Sequence, residues 1–248
     1  MTNATIFGSA AKAYKQARPG YPDALFDWIA AEAPATTAVW DCGTGSGQAA
    51  ASLAERFDTV FATDISEQQI AEAIRRPNIS YLVAPAEASG LADHAVDAVT
   101  VATALHWFDF DRYWDEVRRV LRPGGIFTAW TYGFMNTDEE TSRLLIKPIL
   151  DLVQPYWSGG NLLSLRGYPL DEIKFSLKPV HPPNISMNLA WSVDRLIAMI
   201  ETWSGVRLAR AEGGLAGQID AIEDEARAVF GERIVSLSMP IRTIAGRT

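Results

Sequence analysis

The chain has 248 residues, of which 48% are apolar and 21% charged, a balance that supports a buried core and excludes the disordered class. The 30 Asp and Glu outnumber the 22 Lys and Arg, and the formal net charge of -8 disfavours general nucleic-acid binding. One cysteine, Cys42, excludes an intramolecular disulfide, and with three histidines it makes a poor zinc set. The first residues lack a basic region followed by an apolar block, and no stretch is long and apolar enough to cross a bilayer. We therefore expect a cytoplasmic protein that needs neither metal nor membrane.

Strand and helix patterns alternate along the first half of the chain. The predicted helices cover residues 22–33, 48–56, 66–75 and 110–121, and the predicted strands cover 38–41, 59–63, 79–83, 97–102 and 126–131. Such alternation is typical of a doubly wound α/β sheet with right-handed crossovers and helices on both faces.

The pattern changes after Tyr132. The predicted elements there are a helix over 138–153 bent near Pro148, an ordered loop over 155–168, a strand over 172–177, a breaker at 181–184, helices over 192–203 and 215–230, and a closing antiparallel strand over 233–244. We divide the chain into an N-terminal lid segment with the first helix (1–35), a Rossmann-like core (36–132), and an insertion with a helical cap and the last strands (133–248).

A glycine-rich turn, Asp41-Cys42-Gly43-Thr44-Gly45-Ser46-Gly47, joins the first predicted strand to a helix. Glycines allow a tight turn and let backbone N–H groups approach a ligand closely. The spacing G-x-G-x-G differs from the dinucleotide pattern G-x-G-x-x-G, and no Lys-Ser/Thr follows as in a Walker loop. The carboxylate of Asp41 is unfavourable beside a pyrophosphate and suits a ligand that carries an ammonium group.

Four pieces in order resemble class I S-adenosylmethionine (SAM) methyltransferases: the glycine turn, Asp64 after the second strand, Ala86-Glu87 after the third, and 121–125 before the fifth. The resemblance implies a Rossmann-like seven-stranded mixed sheet with a reversed last strand, helical cap insertions, and SAM as cofactor. It places Asp64 at the ribose hydroxyls and Ala86 and Glu87 at the adenine. The cofactor-binding residues that we predict are Tyr14, Arg18, Asp41, Gly43, Thr44, Gly45, Gly47, Asp64, Ile65, Ala86, Glu87, Thr103, Leu105 and His106.

Further segments are similar to the trans-aconitate methyltransferase-like group: residues 7–22, 104–109, 155–157 and 201–204. This narrower resemblance implies O-methylation of a small carboxylic acid, with Tyr14, Arg18 and Tyr21 as a lid. The substrate-binding residues that we predict are Tyr21, Trp107, Trp130, Tyr132, Trp157, Arg166 and Trp203. The expected partner is a small-molecule methyl acceptor, not nucleic acid or a membrane, and the expected state is a monomer or homodimer.

The acceptor chemistry decides the role of His106, the candidate catalytic residue. A carboxylate is ionised at neutral pH and needs no base, so His106 would position it while Arg166 or Arg18 holds a second carboxylate. A phenolic or other hydroxyl acceptor needs a base, and His106 is the histidine best placed for that role. The residues also leave open a non-catalytic SAM-binding protein and, more remotely, a dinucleotide-dependent oxidoreductase.

Overall fold

The computed structural model describes residues 19–248, and the elements below are those of this range. The strands are β1 (Ala38–Cys42), β2 (Thr59–Asp64), β3 (Ile79–Val83), β4 (Val96–Ala102), β5 (Leu121–Tyr132), β6 (Asn136–Thr137), β7 (Lys178–Val180), β8 (Ile185–Ser192) and β9 (Ile234–Arg247). The helices are α1 (Asp23–Glu32), α2 (Gln48–Leu53), α3 (Glu67–Ala71), α4 (Phe110–Val120), α5 (Glu139–Thr141), α6 (Lys147–Val153), α7 (Gly159–Leu165), α8 (Val193–Ile200), α9 (Ser204–Ala211) and α10 (Ala216–Phe230). Short 3₁₀ turns cover Leu105–Trp107 and Gln154–Tyr156, and a π-helical turn covers Ser142–Ile146.

One mixed sheet contains all the strands of the described range, in the order β3-β2-β1-β4-β5-β9. Strands β1 to β5 are parallel, and β9 runs antiparallel to β5, with Ile126 opposite Arg247 and Tyr132 opposite Ile241. The short β6 pairs with β9 beyond the end of β5, whereas β7 and β8 pair in succession with β9. Because β6 continues the position of β5, and β7 and β8 share one position beside β9, the nine strands of residues 19–248 occupy seven positions. The predicted seven-stranded mixed sheet with a reversed last strand is confirmed.

The central strands are buried along almost their whole length because helices cover both faces of the sheet. All five residues of β1 are buried, and so are the first six of β4. Neighbouring residues of β1 face opposite sides: Val39 packs into the core beneath α1 and α2, and Trp40 packs into the core beneath α4. The order of the strands reverses between β1 and β4, and in open α/β sheets ligands bind at the carboxyl ends of the strands at such a point.

The loop predicted over 155–168 is wrong, because it contains the helix α7. Ser158 caps this helix by accepting the backbone N–H of Asn161, whose side chain bonds back to the N–H of Ser158. Gly160 disfavours a helix by propensity, but here a Cβ would lie 3.2 Å from the carbonyl oxygen of His106. Close packing against the 3₁₀ turn thus favours glycine at this position inside the helix.

The strand predicted over 172–177 is also wrong. The carbonyl of Pro169 accepts the N–H groups of Glu172 and Ile173, so the segment curls into successive turns, and the strand begins only at Lys178. Besides α7, four strands and helices of the described range lie where none was predicted: β6, β7 and β8, which all pair with β9, and α9, which follows Trp203. The closing strand predicted over 233–244 is confirmed as the antiparallel β9, which continues to Arg247.

The remaining predicted helices are found with shifted ends. The helix predicted over 66–75 ends at Ala71, and its N-cap is Ser66, whose Oγ accepts the N–H of Gln69. The predicted bend near Pro148 is a π-helical turn in which the N–H of Lys147 reaches the carbonyl of Ser142, before the proline that lacks an N–H. No helix within residues 19–248 combines the length and apolarity needed to span a membrane.

The buried carboxylate of Asp97 fixes the starting ends of β1 and β4 together. Its Oδ2 accepts the backbone N–H of Ala38 at 3.0 Å, and its Oδ1 lies 2.8 Å from the guanidinium of Arg122. We expect Asp97→Ala to lower the free energy of unfolding by about 2–4 kcal/mol, because a buried donor and an ion-pair partner lose their acceptor. Urea unfolding measures this loss.

The matched control is Asp93→Ala. Asp93 also pairs with an arginine, Arg119, at 2.7 Å, but its side chain is 72% exposed. Its loss should change the free energy of unfolding by less than about 1 kcal/mol. Equal effects of the two substitutions would contradict the role assigned to Asp97.

Candidate active site

A cavity of about 310 Å³ opens at the carboxyl ends of β1, β2, β3 and β4, at the reversal of strand order. We call it the cofactor cavity. Its walls come from the glycine turn, from the two loops after β2 and β3, and from the segment after β4. The lining residues are Tyr21, Gly43, Thr44, Gly45, Ser46, Gln48, Ala49, Asp64, Ile65, Ser66, Gln69, Ala84, Pro85, Ala86, Glu87, Ala102, Thr103, Ala104, Trp107 and Phe108.

The three glycines of the turn, Gly43, Gly45 and Gly47, have different structural roles. Gly43 has φ +68°, and a Cβ there would lie 2.7 Å from the Cβ of Ala104, so this turn packs against the segment after β4. Gly45 has φ +55° and donates its N–H to Asp64 Oδ2 at 2.8 Å. Gly47, also left-handed, packs against the Tyr81 hydroxyl and does not line the cavity. Two glycines thus shape the ligand wall, and the third permits close packing of helix on strand.

Asp64 connects the ends of two strands at the cavity wall. Its Oδ2 accepts the N–H of Gly45 and its Oδ1 accepts the N–H of Ser66, each at 2.8 Å. Burial raises the pKa of this carboxyl above its usual value, against the effect of the backbone donors. Each carboxylate oxygen keeps a further lone pair, so the group can still accept bonds from a ligand hydroxyl.

Asp41 lies behind the wall rather than on it. Its carboxylate is fully buried and accepts the hydroxyls of Thr44 at 2.5 Å and Thr100 at 2.9 Å. Burial raises the pKa of Asp41 to about 6, and the nearby Asp64 contributes in the same direction. The residue therefore orients Thr44, which lines the cavity, and supplies negative charge just beneath it.

The far side of the cavity, after β3, carries the second predicted pair. Ala86 is buried at the wall, and Glu87 accepts the backbone N–H of Asp109 at 2.8 Å. Asp109 is the N-cap of α4, so Glu87 holds the start of that helix beside the cavity. Ile65 stands on the same wall with 64% of its surface exposed, an apolar side chain available to a flat ligand.

Thr103 occupies the left-handed region with φ +54°, which is rare for a β-branched residue. Its N–H donates to the carbonyl of Trp130 at 2.8 Å, and its hydroxyl is 3.2 Å from the hydroxyl of Tyr21. Backbone strain of this kind persists where the surroundings hold it, and it concentrates at functional sites.

A second cavity, of about 150 Å³, lies between the sheet and the helices that follow β5; we call it the acceptor cavity. Thr103 and Trp107 line both cavities, so the two adjoin at the end of β4. The residues that line the acceptor cavity are Thr103, His106, Trp107, Thr131, Tyr132, Gly133, Phe134, Met135, Trp157, Asn161, Ser164, Leu165, Met199, Thr202, Trp203, Ser204 and Met239.

His106 is placed in this wall by the 3₁₀ turn after β4. Its Nδ1 lies 3.0 Å from the hydroxyl of Tyr168, and its ring is 4.7 Å from the ring of Trp107, centroid to centroid. Tyr168 is 1% exposed and, like Thr103, has a left-handed backbone, with φ +59°. A buried phenol in a strained backbone thus orients the imidazole from behind.

The structure brings together most of the predicted cofactor residues. Those that line the cofactor cavity are Gly43, Thr44, Gly45, Asp64, Ile65, Ala86, Glu87 and Thr103. Asp41 and Gly47 lie behind its wall, Leu105 is buried in the core beside α4, and His106 faces the acceptor cavity instead. Tyr14 and Arg18 lie outside the described residues.

The predicted substrate residues divide in the same way. Trp107, Tyr132, Trp157 and Trp203 line the acceptor cavity. Three assignments need correction: Tyr21 lines the cofactor cavity, Trp130 is fully buried beneath Tyr21 and Phe26, and Arg166 pairs with Glu172 at 2.6 Å outside both cavities. A tryptophan in a strand and an arginine after two glycines are not distinguished from site residues by sequence.

Sequence analysis missed the residues whose positions depend on the cap. Met199, Thr202 and Ser204 come from the end of α8 and the start of α9, and Asn161 and Ser164 from α7. Of these residues, Thr202 and Ser204 fall in the segment 201–204 that resembles the trans-aconitate methyltransferase-like group, and the other three carry no signal in the sequence. Tyr168 was missed because nothing in its neighbouring sequence marks a left-handed backbone.

Comparison with known proteins bears on this arrangement. Residues 40–129 match the family described as a methyltransferase domain. A Dictyostelium discoideum protein named as a methyltransferase is 32% identical over 206 residues, which cover 80% of this chain and 76% of that protein. The chain belongs to the class I SAM-dependent methyltransferases.

Solved structures agree with this assignment. A structure from Anaeromyxobacter dehalogenans described as a type II methyltransferase has a TM-score of 0.83 and 39% identity, covering 93% of this chain and 97% of that one. Shorter alignments include a Mycobacterium tuberculosis methyltransferase, 42% identical over 48% of this chain and 49% of its own length. A Haemonchus contortus phosphoethanolamine N-methyltransferase, solved with S-adenosylhomocysteine, shares the fold at a TM-score of 0.54 and 16% identity, covering 100% of this chain and 60% of that one.

The residues of the cofactor cavity fit the methyl donor of this family. Gly43 lets the turn pack closely against Ala104 and Phe108 at the wall of the cavity, and Asp64 offers acceptor lone pairs to a ligand. The charged groups that line the cavity within residues 19–248 are carboxylates, Asp64 and Glu87, which suit a cationic ligand.

The packing of Gly43 yields a direct test. We expect Gly43→Ala to weaken S-adenosylhomocysteine binding by about tenfold or more, because its Cβ would push the turn away from Ala104. Gly214→Ala is the matched control, since Gly214 has φ +63° but no neighbouring atom within 4 Å of the place that a methyl group would take. Calorimetric titration measures binding, and thermal unfolding measures the shared backbone cost. Unchanged affinity in Gly43→Ala would contradict the role of this packing in shaping the cavity.

The raised pKa of Asp41 yields a second test, on stability. Between about pH 4 and pH 6 the folded protein keeps a proton on Asp41 that the unfolded chain releases, so this group lowers the free energy of unfolding as pH rises. Relative to Asp41→Asn, the wild type should lose up to about 3 kcal/mol across that window. Urea unfolding of both proteins at several pH values measures the difference, and a difference independent of pH would contradict the buried carboxyl.

Proposed function

We propose that the chain transfers a methyl group from SAM, held in the cofactor cavity, to a small molecule held in the acceptor cavity. The observation that carries this proposal is the shared wall: Thr103 and Trp107 line both cavities, so a donor and an acceptor would meet at the end of β4. SAM supplies a methyl group already activated by a sulfonium. The task left to the protein is alignment of the acceptor and exclusion of water.

Within this proposal, individual residues hold the ends of the donor. Asp64 accepts the ribose hydroxyls while its two backbone contacts keep it in place. Ile65 and Glu87 flank the adenine, and Thr44, oriented by Asp41, lies at the amino-acid end. Tyr21, whose hydroxyl contacts Thr103, covers the cavity next to the shared wall.

The acid acceptor implied by the trans-aconitate-like resemblance stays a prediction. Arg166, which was to hold a carboxylate, is engaged with Glu172 outside the cavity. Arg18 lies outside the described residues, so the acid acceptor is now supported by the resemblance alone. The cap residues around the acceptor cavity nonetheless favour a small molecule over a polymer, because the cavity has room for only a small group.

Asp64→Asn tests the cofactor site. It should lower the affinity for S-adenosylhomocysteine by about 10- to 100-fold, because a charged acceptor becomes an amide with one acceptor atom. Asp58→Asn, an exposed carboxylate at the opposite end of β2, is the control and should bind as the wild type does. Calorimetry with the folded wild type is the first measurement, and absence of binding would overturn the proposal.

Turnover separates an enzyme from a non-catalytic SAM-binding protein. Methyl-labelled SAM incubated with the protein and a panel of small acids and phenols should give labelled product and stoichiometric S-adenosylhomocysteine. Binding of S-adenosylhomocysteine with no labelled product from any acceptor would favour the binding protein.

A further inference from the structure

We infer that the methyl acceptor is an uncharged single-ring phenol, which His106 deprotonates, rather than a carboxylic acid. The inference rests on the proposed function and concerns the acceptor cavity alone. Three observations carry it: the neutral walls, the size of the cavity, and the Tyr168–His106 pair.

The walls of the acceptor cavity carry no formal charge within residues 19–248, since no Asp, Glu, Lys or Arg of that range lines it. Several of its polar side chains are already hydrogen-bonded to each other. Thr131 Oγ1 and Ser164 Oγ are 2.8 Å apart, and Ser204 Oγ donates to Asn161 Oδ1 at 3.1 Å. A carboxylate that entered would lose hydration, and no side chain of that range lining the cavity is a cation that could replace it; Arg242 packs beside Gly133 but does not line the cavity. This loss of hydration disfavours carboxylate binding.

The remaining walls are aromatic and sulfur-bearing, which suits a flat ring. Trp157 packs edge-on to Trp203 at 6.5 Å between ring centroids and stacks on Phe134 at 6.2 Å, and Met199 and Met239 complete this side. Aromatic faces and thioethers make favourable contacts with aromatic rings. The volume of about 150 Å³ is enough for one ring, since an apolar cavity of roughly 150 Å³ is known to hold benzene.

The hydroxyl of such a ring requires a base, and the cavity supplies one titratable side chain able to act near neutral pH. His106 lies in the wall beside Trp107, at the side shared with the donor. Tyr168 holds its imidazole through the 3.0 Å contact to Nδ1, and Gly160 lets α7 pack against it. His106 therefore accepts the phenolic proton as the phenol oxygen bonds to the methyl carbon. The methyl–sulfur bond breaks with its electron pair left on sulfur, and the products are an aryl methyl ether, S-adenosylhomocysteine and a protonated His106.

Matched acceptors test the class with the wild-type protein and methyl-labelled SAM. Phenol and 4-methylphenol are compared with benzoate and 4-methylbenzoate, which share the ring but carry a carboxylate, and with trans-aconitate. We expect kcat/KM to be about 100-fold or more higher for the phenols than for the carboxylates. The phenols are uncharged and can enter a cavity with neutral walls without removing the water around a charged group. Faster methylation of either benzoate or of trans-aconitate would overturn the inference.

A His106→Gln variant tests the base, with His181→Gln, an exposed loop histidine, as control. The variant should lose about 100-fold or more of kcat for phenol and the acidic limb of its pH–rate profile. It should lose much less for 4-nitrophenol, which ionises unaided at mildly alkaline pH. Equal losses for the two phenols would overturn the base role, because a structural defect does not depend on the acidity of the acceptor.

Binding of S-adenosylhomocysteine separates the two levels of the argument. The inference fails and the proposed function stands if S-adenosylhomocysteine binds but the phenols are not methylated and, with S-adenosylhomocysteine bound, do not quench the tryptophan fluorescence of the protein. Where the folded wild type does not bind it, the proposed function itself fails. His106→Gln should retain its affinity for S-adenosylhomocysteine, because His106 does not line the cofactor cavity.

Discussion

The buried carboxylate of Asp41 joins the three parts on which the site depends. It lies in β1, accepts the hydroxyl of Thr100 in β4, and accepts the hydroxyl of Thr44 in the glycine turn. The strand order reverses between the neighbouring strands β1 and β4, so this one carboxylate links both strands at the reversal to the loop that borders the cavity. Burial at this position disfavours the charged carboxylate and raises its pKa to about 6. The hydrogen bonds from the two hydroxyl donors stabilise the charged form and offset part of this effect.

The first half of the fold and its cofactor cavity follow from local sequence, whereas the acceptor cavity does not. Three features of the site each follow a strand that is recognisable from its run of apolar residues: the turn at Gly43, the carboxylate of Asp64 and the pair at Ala86. Parallel strands bring their carboxyl ends together at one edge of the sheet. Trp157 and Trp203 also face a cavity, but they lie next to helices α7 and α9, and long-range contacts determine how these helices pack. Nothing local distinguishes these residues from Trp130, which fills the core. The same limit explains α7. Gly160 disfavours a helix by propensity, and its close contact with His106 cannot be read from the local sequence.

Two strained backbone positions contact residues that line the cavities. Thr103 and Tyr168, two of the four non-glycine residues with positive φ in residues 19–248, contact Tyr21 and His106 respectively. Each is held by fixed surroundings: Thr103 by its bond to the carbonyl of Trp130, and Tyr168 by near-complete burial and by its own N–H, which bonds the carbonyl of Leu163. A left-handed backbone costs of order 1–3 kcal/mol at such residues, and the cores on both faces of the sheet stabilise it.

Charge is distributed unequally between the two cavities, and this inequality suits methyl transfer. Carboxylates of Asp41, Asp64 and Glu87 lie at or behind the cofactor side, whereas the acceptor side has neutral walls in the described range. A sulfonium donor is therefore attracted to one side, and its charge disappears as the methyl leaves. Where the acceptor gives up its proton to a base, as inferred for His106, the negative charge of the acceptor oxygen and the positive charge of the sulfonium cancel as the methyl group moves. S-adenosylhomocysteine, which lacks the sulfonium, then keeps less attraction to the carboxylates, and this difference favours its exchange for a new donor.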